Sequence, residues 1–295
     1  MEVKEVFPKL CIFGYAAAMN EPIITLDSLS FSYAAMSDDP EISETTVFDG
    51  LSLSVPPGVT SLVGQNGVGK STFLLLAGAR VFPSSGSVSV LGTDTRAFVR
   101  AGVDPEVEGE RNRLVSFIYQ NMEFETDEPI GDLMEYVYAE GYYERKDPQF
   151  LARIQRELDV QKLLSRKTGS LSKGELQRTI IGFSLLYGSR IVLMDEPVFA
   201  LEEDRKERVF AFLMEIAAET GVSICYSAHN LELTGKFSTS MMLFFKDGTI
   251  RVGPTKELFQ RTLIEEAYQV PWDMLYRKEH LYREMLNAMP RPGTG

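Results

Sequence analysis

The sequence predicts an α/β fold: a parallel sheet flanked by helices, with two attached subdomains, one at the strand-rich beginning and one in the helical middle. Three observations predict it. Strands alternate with helical segments over most of the chain, the order that builds a parallel sheet. "SRIVLMDEP" and "VSICYSAH" are continuously apolar, as expected where both faces of a strand are covered. From Ile23 to Val63 apolar residues often alternate with polar ones, whereas Asp127 to Gly188 follows a helical pattern.

In chain order, "IITLDSLSFSY" and "VFDGLSLSVPPGVTSLVG" read as strands, separated by an acidic loop, "AAMSDDPEISETT". Lys70 to Arg80 reads as a helix, and "PSSGSVSVLGTD" as a turn followed by a strand. Arg100 to Arg113, "RAGVDPEVEGERNR", is polar and mixed in charge and reads as a surface loop. "RLVSFIYQ" is a strand ending near Gln120. "RKERVFAFLMEIAAETG" is a helix ended by Gly221, and "SMMLFFKDGTI" a hairpin turning on Asp247-Gly248. After Gly253 the tail is helical, then frays in "MPRPGTG".

The 295 residues carry a net charge of -12, which argues against a general nucleic-acid binder. Cys11 and Cys225 are too few for a disulfide framework and read as small buried or half-buried thiols in a reducing compartment. No stretch approaches the length of an apolar membrane span, so a soluble chain is expected, with any membrane role coming through a partner. "LCIFGYAAAM" faintly resembles a signal-peptide core, but Glu2 and Glu5 spoil its flank; residues 1–20 read as an N-terminal extension.

"LVGQNGVGKST", Leu62 to Thr72, contains Gly64-x-x-x-x-Gly69-Lys70-Ser71, the Walker A pattern, between an apolar strand and an apolar helix. Gly64, Gly67 and Gly69 let the backbone curl so that successive N–H groups face phosphate oxygens. The following helix aims its positive end at the same anion. Lys70 is expected to reach the β- and γ-phosphates and Ser71 to ligate Mg²⁺, with Asn66 and Thr72 completing the nucleotide-binding loop. "IVLMDEP" ends a buried strand on two carboxylates. Asp195 can hold Mg²⁺, and Glu196 can polarise a water as general base. The Asn-Lys-x-Asp motif of a GTPase is absent. A small nucleotide kinase would not explain the segment that follows.

In "SLSKGELQR", Ser172 and Glu175 have the spacing of a capping box before an apolar helix. Gly174 spoils a plain helix start, because glycine in a helix costs about 1 kcal/mol against alanine. Either this is an ordinary cap, or a helix end is kept bare so that an anion can approach its N–H groups.

Together these residues resemble the nucleotide-binding subunits of ATP-binding cassette (ABC) ATPases, over about Ile23 to Gly253. The resemblance implies a P-loop NTPase with a RecA-like parallel core, an N-terminal antiparallel β subdomain and an inserted helical subdomain. It implies an ATPase domain at 21–253, with the helical subdomain at about 121–186, and a helical tail at 254–295. Gln120 looks like the Q-loop glutamine, a Mg²⁺ and water contact. His229, one of 2 histidines, looks like the switch that senses the γ-phosphate. Tyr33 looks like the aromatic that stacks on adenine, with Phe31, or plain core packing of both, as the alternative. Leu171 to Glu175 looks like the signature, usually Leu-Ser-Gly-Gly-Gln.

In this family two cassettes pair head to tail, and Ser172, Gly174 and Glu175 would serve the ATP of the partner subunit. Glu175 would then leave a carboxylate near that phosphate. Pro197 to Glu202, "PVFALE", departs from the family's usual Pro-Thr-Ser-Ala-Leu-Asp, which puts communication between the sites in question. The resemblance further implies ATP and Mg²⁺ as ligands and a second cassette, identical in a homodimer. It also implies integral membrane permease subunits, peripheral attachment to the cytoplasmic face of the cell membrane, and room for an extracytoplasmic substrate-binding protein. The aromatics after Gln120, from Phe124 to Tyr143, either receive a permease helix or pack within the helical subdomain. The tail "GPTKELFQRTLIEEAYQVPWDML" is similar to the end of iron-chelate and vitamin B12 importer ATPases. The alternative is a soluble ABC ATPase without a permease, of the iron–sulfur assembly type.

Overall fold

The computed structural model describes residues 21–34, 45–228 and 230–275. The expected N-terminal extension with Cys11, the expected switch residue His229 and the end of the tail lie outside the described residues.

The strands are β1 (Ile24–Tyr33), β2 (Thr45–Val55), β3 (Val59–Val63), β4 (Ser85–Val90), β5 (Thr93–Asp94), β6 (Val115–Ile118), β7 (Ile191–Met194), β8 (Ser223–Ser227), β9 (Ser240–Phe244) and β10 (Ile250–Pro254). The helices are α1 (Lys70–Ala77), α2 (Pro105–Leu114), α3 (Ile130–Glu140), α4 (Pro148–Glu157), α5 (Lys173–Tyr187), α6 (Glu203–Thr220), α7 (Leu231–Lys236), α8 (Thr255–Leu258) and α9 (Arg261–Tyr268).

Two sheets result. One is antiparallel, in the order β2-β1-β4-β5. The other runs β10-β9-β3-β8-β7-β6 and is parallel except for the β9–β10 hairpin. That hairpin turns where expected: Asp247 Oδ1 accepts the Thr249 N–H at 2.9 Å, and Gly248 takes φ +89°. The continuous apolar runs of β3, β7, β8 and β9 are explained by burial, because every residue in each is buried.

Strand alternation divides the core between the two faces of the parallel sheet. On β7, Ile191 and Leu193 join Phe73 and Leu74 of α1 and the antiparallel sheet. Val192 and Met194 face the other way, into a cluster with Ile130 and Met134 of α3, Ile181 of α5 and Phe210 of α6. Cys225 is fully buried on β8, and burial pushes its thiol up to about 12.

One expectation fails. The segment that reads as a loop, Arg100 to Arg113, holds all of α2 but its last residue, Leu114. The Asp104 carboxylate caps it by accepting the Glu106 N–H at 3.2 Å, and Pro105 occupies its first turn. Glu106 lies near its start, Arg111 and Arg113 near its end, matching the helix dipole. Of its residues only Arg111 is buried, so no apolar periodicity betrays it. Among the described residues no helix is long and apolar enough to cross a membrane.

Candidate functional site

The site begins where β3 delivers the chain to α1. Gly64 follows the buried end of β3 with φ +152°, and a Cβ there would stand 2.7 Å from the Phe244 carbonyl of β9. Only glycine fits that approach. The loop bends back at Gly67, φ +80°, and reaches Lys70 at the first turn of α1. Asn66, Gly67 and Ser71 are exposed along it.

Lys70 is buried, and its Nζ donates to the carbonyls of Gly64 at 2.7 Å and Gln65 at 2.6 Å. Burial lowers its pKa from the ordinary lysine range, while the Glu196 and Asp195 carboxylates act in the opposite sense. The structure thus brings the Walker lysine and both acidic residues within electrostatic reach of one another.

Asp195 and Glu196 leave the end of β7. Asp195 is 9% exposed, and its N–H donates to Ile118 O of β6 at 2.9 Å. Gln120 lies two residues beyond Ile118 and is exposed. The neighbouring strand supplies a residue that the sequence did not single out. Ser227, at the end of β8, donates its hydroxyl to Asp195 Oδ1 at 2.5 Å and accepts the Glu196 N–H at 2.9 Å. Glu196 adopts φ +51°, the left-handed region that a non-glycine residue seldom occupies.

Tyr33 ends β1 beside the loop. Its hydroxyl is 3.3 Å from Thr72 Oγ1, its side chain is exposed, and its ring meets Phe31 edge-on at 4.9 Å. Phe31 itself is buried in the core. Of the two aromatics considered, Tyr33 is the one with a free ring surface near the phosphate loop.

The capping box is present. Ser172 Oγ accepts the Glu175 N–H at 3.3 Å, and Glu175 Oε2 accepts the Ser172 N–H at 2.8 Å. Among the described residues the N–H groups of Lys173 and Gly174 take no acceptor. A cap and bare donors therefore coexist. Gly174 has an additional reason to lack a side chain: a Cβ there would stand 2.9 Å from Ala200 O, in the loop after Glu196.

The carboxylate of Glu175 is also accounted for. Arg166 Nη1 pairs with its Oε1 at 3.1 Å. Partial burial works against ionisation, but the Ser172 N–H and hydroxyl and the Arg166 guanidinium outweigh it and hold the carboxyl below its ordinary pKa. No hydrogen bond or ion pair among the described residues joins Ser172–Glu175 to the chain's own phosphate loop. Instead α5 reaches the loop after β7: Gln177 Nε2 donates to Glu196 O at 3.2 Å, and its Oε1 accepts the Ala200 N–H at 3.0 Å. Phe199, in that loop, is 60% exposed.

Among the described residues no three His, Cys, Asp or Glu side chains gather around a point. One hydroxyl, Ser71, and one shielded carboxylate, Asp195, suit an ion such as Mg²⁺ that keeps waters and takes oxygens from substrate phosphates.

A glycine-rich loop between a buried parallel strand and a helix, with an acidic pair two strands away in the same sheet, defines a P-loop NTPase. The chain belongs to the ABC transporter family, whose model matches residues 48–199. It is 31% identical over 230 residues to the lipoprotein-releasing system ATP-binding protein LolD of Ruegeria pomeroyi, covering 76% of this chain and 96% of the relative. It is 30% identical over 208 residues to the molybdenum import ATP-binding protein ModC of Paramagnetospirillum magneticum, covering 70% of this chain and 55% of the relative. The chain spans about half the length of the molybdenum import relatives it matches. The solved ATP-binding subunit of an ABC transporter superposes with a TM-score of 0.66 at 21% identity, over 87% of this chain and 98% of that one. A dimeric post-hydrolysis ATP-binding cassette bound to ADP and Pi gives 0.64 at 20% identity, over 79% of this chain and 98% of that one. The two structural likenesses carry the fold.

Proposed function

We propose that the chain is the ATP-hydrolysing subunit of an ABC transporter, working as a head-to-tail pair of cassettes that drives import through separate membrane permease subunits. The observation that carries this reading is the grouping of Lys70, Asp195 and Glu196 at the carboxyl ends of the parallel strands, apart from a helix N-terminus at Ser172 with donors to spare. The chain supplies the two halves of a site without joining them, so a second copy completes each.

In this reading Gly64 to Thr72 hold the triphosphate, and Tyr33 stacks on the adenine. Lys70 trades its carbonyl partners for the β- and γ-phosphates. Bound Mg²⁺, held by Ser71, Asp195 and Gln120, would neutralise phosphate charge. Glu196 takes a proton from the attacking water as its oxygen bonds the γ-phosphorus and the bridging bond to ADP breaks. His229 orients the γ-phosphate. Ser172 and the N–H of Gly174 receive the partner's γ-phosphate, and the Arg166 pairing keeps the Glu175 charge from repelling it.

The names of the LolD and ModC relatives, releasing and import systems, support a transport role over a permease-free ATPase. With no membrane-spanning helix among the described residues, the reading assigns the channel to a partner. Two measurements test it. Glu196→Gln is expected to abolish steady-state ATP hydrolysis while keeping ATP binding; retained turnover overturns the general-base assignment. Native protein is expected to co-purify with an integral membrane protein from detergent-solubilised membranes. Recovery from the cytosolic fraction alone overturns the transporter reading.

A further inference from the structure

Glu196 is gripped from both sides. Ser227 of β8 holds its N–H, and Gln177 of α5 holds its carbonyl. The same carbonyl accepts the Phe199 N–H at 3.3 Å, and the Gln177 amide also receives the Ala200 N–H. One side chain therefore spans the loop from Glu196 to Ala200. The grip has a purpose in Glu196 itself, because a left-handed non-glycine residue persists only where its surroundings over-determine it. Mere satisfaction of polar groups does not explain the contact. Ala200 is exposed, so water could serve its N–H without Gln177. Gln177 rides on the helix whose first turn carries Ser172 and Gly174, and Gly174 is bare where that helix meets Ala200 O.

We propose that Gln177 is a positioning residue for hydrolysis: it makes the helix headed by Ser172 and the loop headed by Glu196 one mechanical unit, so that phosphate engaged at the signature end sets the angle of the Glu196 carboxylate. This rests on the reading above, in which Glu196 polarises water and Ser172 serves the partner's ATP. Each chain then relays the occupancy of one composite site to the base of the other through a single amide, a link that the Phe199 and Glu202 departures leave intact.

The test compares Gln177→Met, which removes both hydrogen bonds at nearly constant volume, with Gln177→Glu. The latter keeps an acceptor for Ala200 but sets a carboxylate oxygen against the Glu196 carbonyl. Steady-state kinetics with Mg-ATP are expected to show kcat reduced about 10- to 100-fold in both variants, with KM for ATP within about threefold of wild type, because misplacement of a reacting group spoils the chemical step more than binding. Any positive cooperativity in ATP is expected to fall toward a Hill coefficient of about 1, which a purely structural role would not produce. A kcat within about twofold of wild type in either folded variant, or a loss confined to KM, overturns the proposal. If Gln177→Met does not fold, Gln177→Glu decides alone. Glu196→Gln measured in parallel separates the two readings. Turnover lost there but kept in the Gln177 variants sinks the positioning role only; turnover kept there sinks the base assignment and the positioning role with it.

Discussion

Ser227 donates its hydroxyl to Asp195 Oδ1 at 2.5 Å, and both residues are almost completely shielded from solvent. The bond joins the ends of two adjacent parallel strands and leaves the serine lone pairs for the Glu196 N–H. Removing the hydroxyl strands a buried carboxylate and a backbone donor together. Ser227→Ala is therefore expected to lose about 1–3 kcal/mol of stability in urea unfolding. It is also expected to need more Mg²⁺ for half-maximal ATPase activity, because the Asp195 carboxylate loses its orienting donor. Ser227→Thr, which keeps the hydroxyl, is expected to recover most of both.

Gly174→Ala sets helix propensity against packing. Propensity alone predicts a gain of up to about 1 kcal/mol. The new methyl would stand 2.9 Å from Ala200 O, a backbone atom that yields only if the loop itself moves. Overpacking of this kind costs about 1–3 kcal/mol, so a net loss of stability is expected. A fall in kcat should accompany it as the loop after Glu196 is pushed away from α5. A stabilised, fully active Gly174→Ala protein would show that the close approach does not matter.

The same positions mark how far the sequence could be read. "IVLMDEP" announced a buried strand with an acidic end, because burial on both faces leaves no polar residue until the strand emerges. The phosphate loop was equally legible, since its glycines and lysine are local requirements of one turn. α2 was not legible, because a helix lying on the surface with only Arg111 buried carries no apolar stripe. Gln177 and Ser227 carry no local sequence signal for another reason. Their partner Glu196 lies 19 and 31 residues away, and only the packing of α5 and β8 against the end of β7 brings them together. In the sequence Gly174 points only to an anion it could admit, whereas the structure gives it a neighbour within the chain as well.

Glu175 offers a pH test. Its carboxyl lies below the ordinary range in the folded chain, held there by Ser172 and Arg166 against partial burial. A depressed carboxylate pKa contributes stability that is present above the unfolded value and lost as pH falls through the folded one. Glu175→Gln, which restores the family's usual residue, is expected to be less stable than wild type at neutral pH. The gap is expected to close as pH drops through and below the ordinary carboxylate range, where the wild-type carboxylate is itself protonated. Unfolding curves of the two proteins across that range check the sign. A gap that widens in acid would mean that Glu175 is not the ionised member of the capping box. Hydrolysis at neutral pH is expected to survive the change, because the amide can still accept the Ser172 N–H.

In the proposed function, binding and closure separate at Ser172. A nucleotide held by Gly64 to Thr72 needs only one chain, so Mg-ATP at about a hundred times its Kd is expected to stabilise the monomer by about 2.7 kcal/mol. Lys70→Ala is expected to lose that stabilisation. Ser172→Arg is expected to keep it, measured as the rise in melting temperature over its own nucleotide-free state. That baseline matters, because loss of the Ser172 cap lowers the stability of α5 by about 1 kcal/mol before any nucleotide is added. In the Glu196→Gln background, which is expected to hold ATP unhydrolysed, gel filtration with Mg-ATP is expected to show a dimer. Adding Ser172→Arg is expected to return it to a monomer that still melts higher with ATP. A double variant that remains dimeric would mean that Ser172 does not face the partner's phosphate.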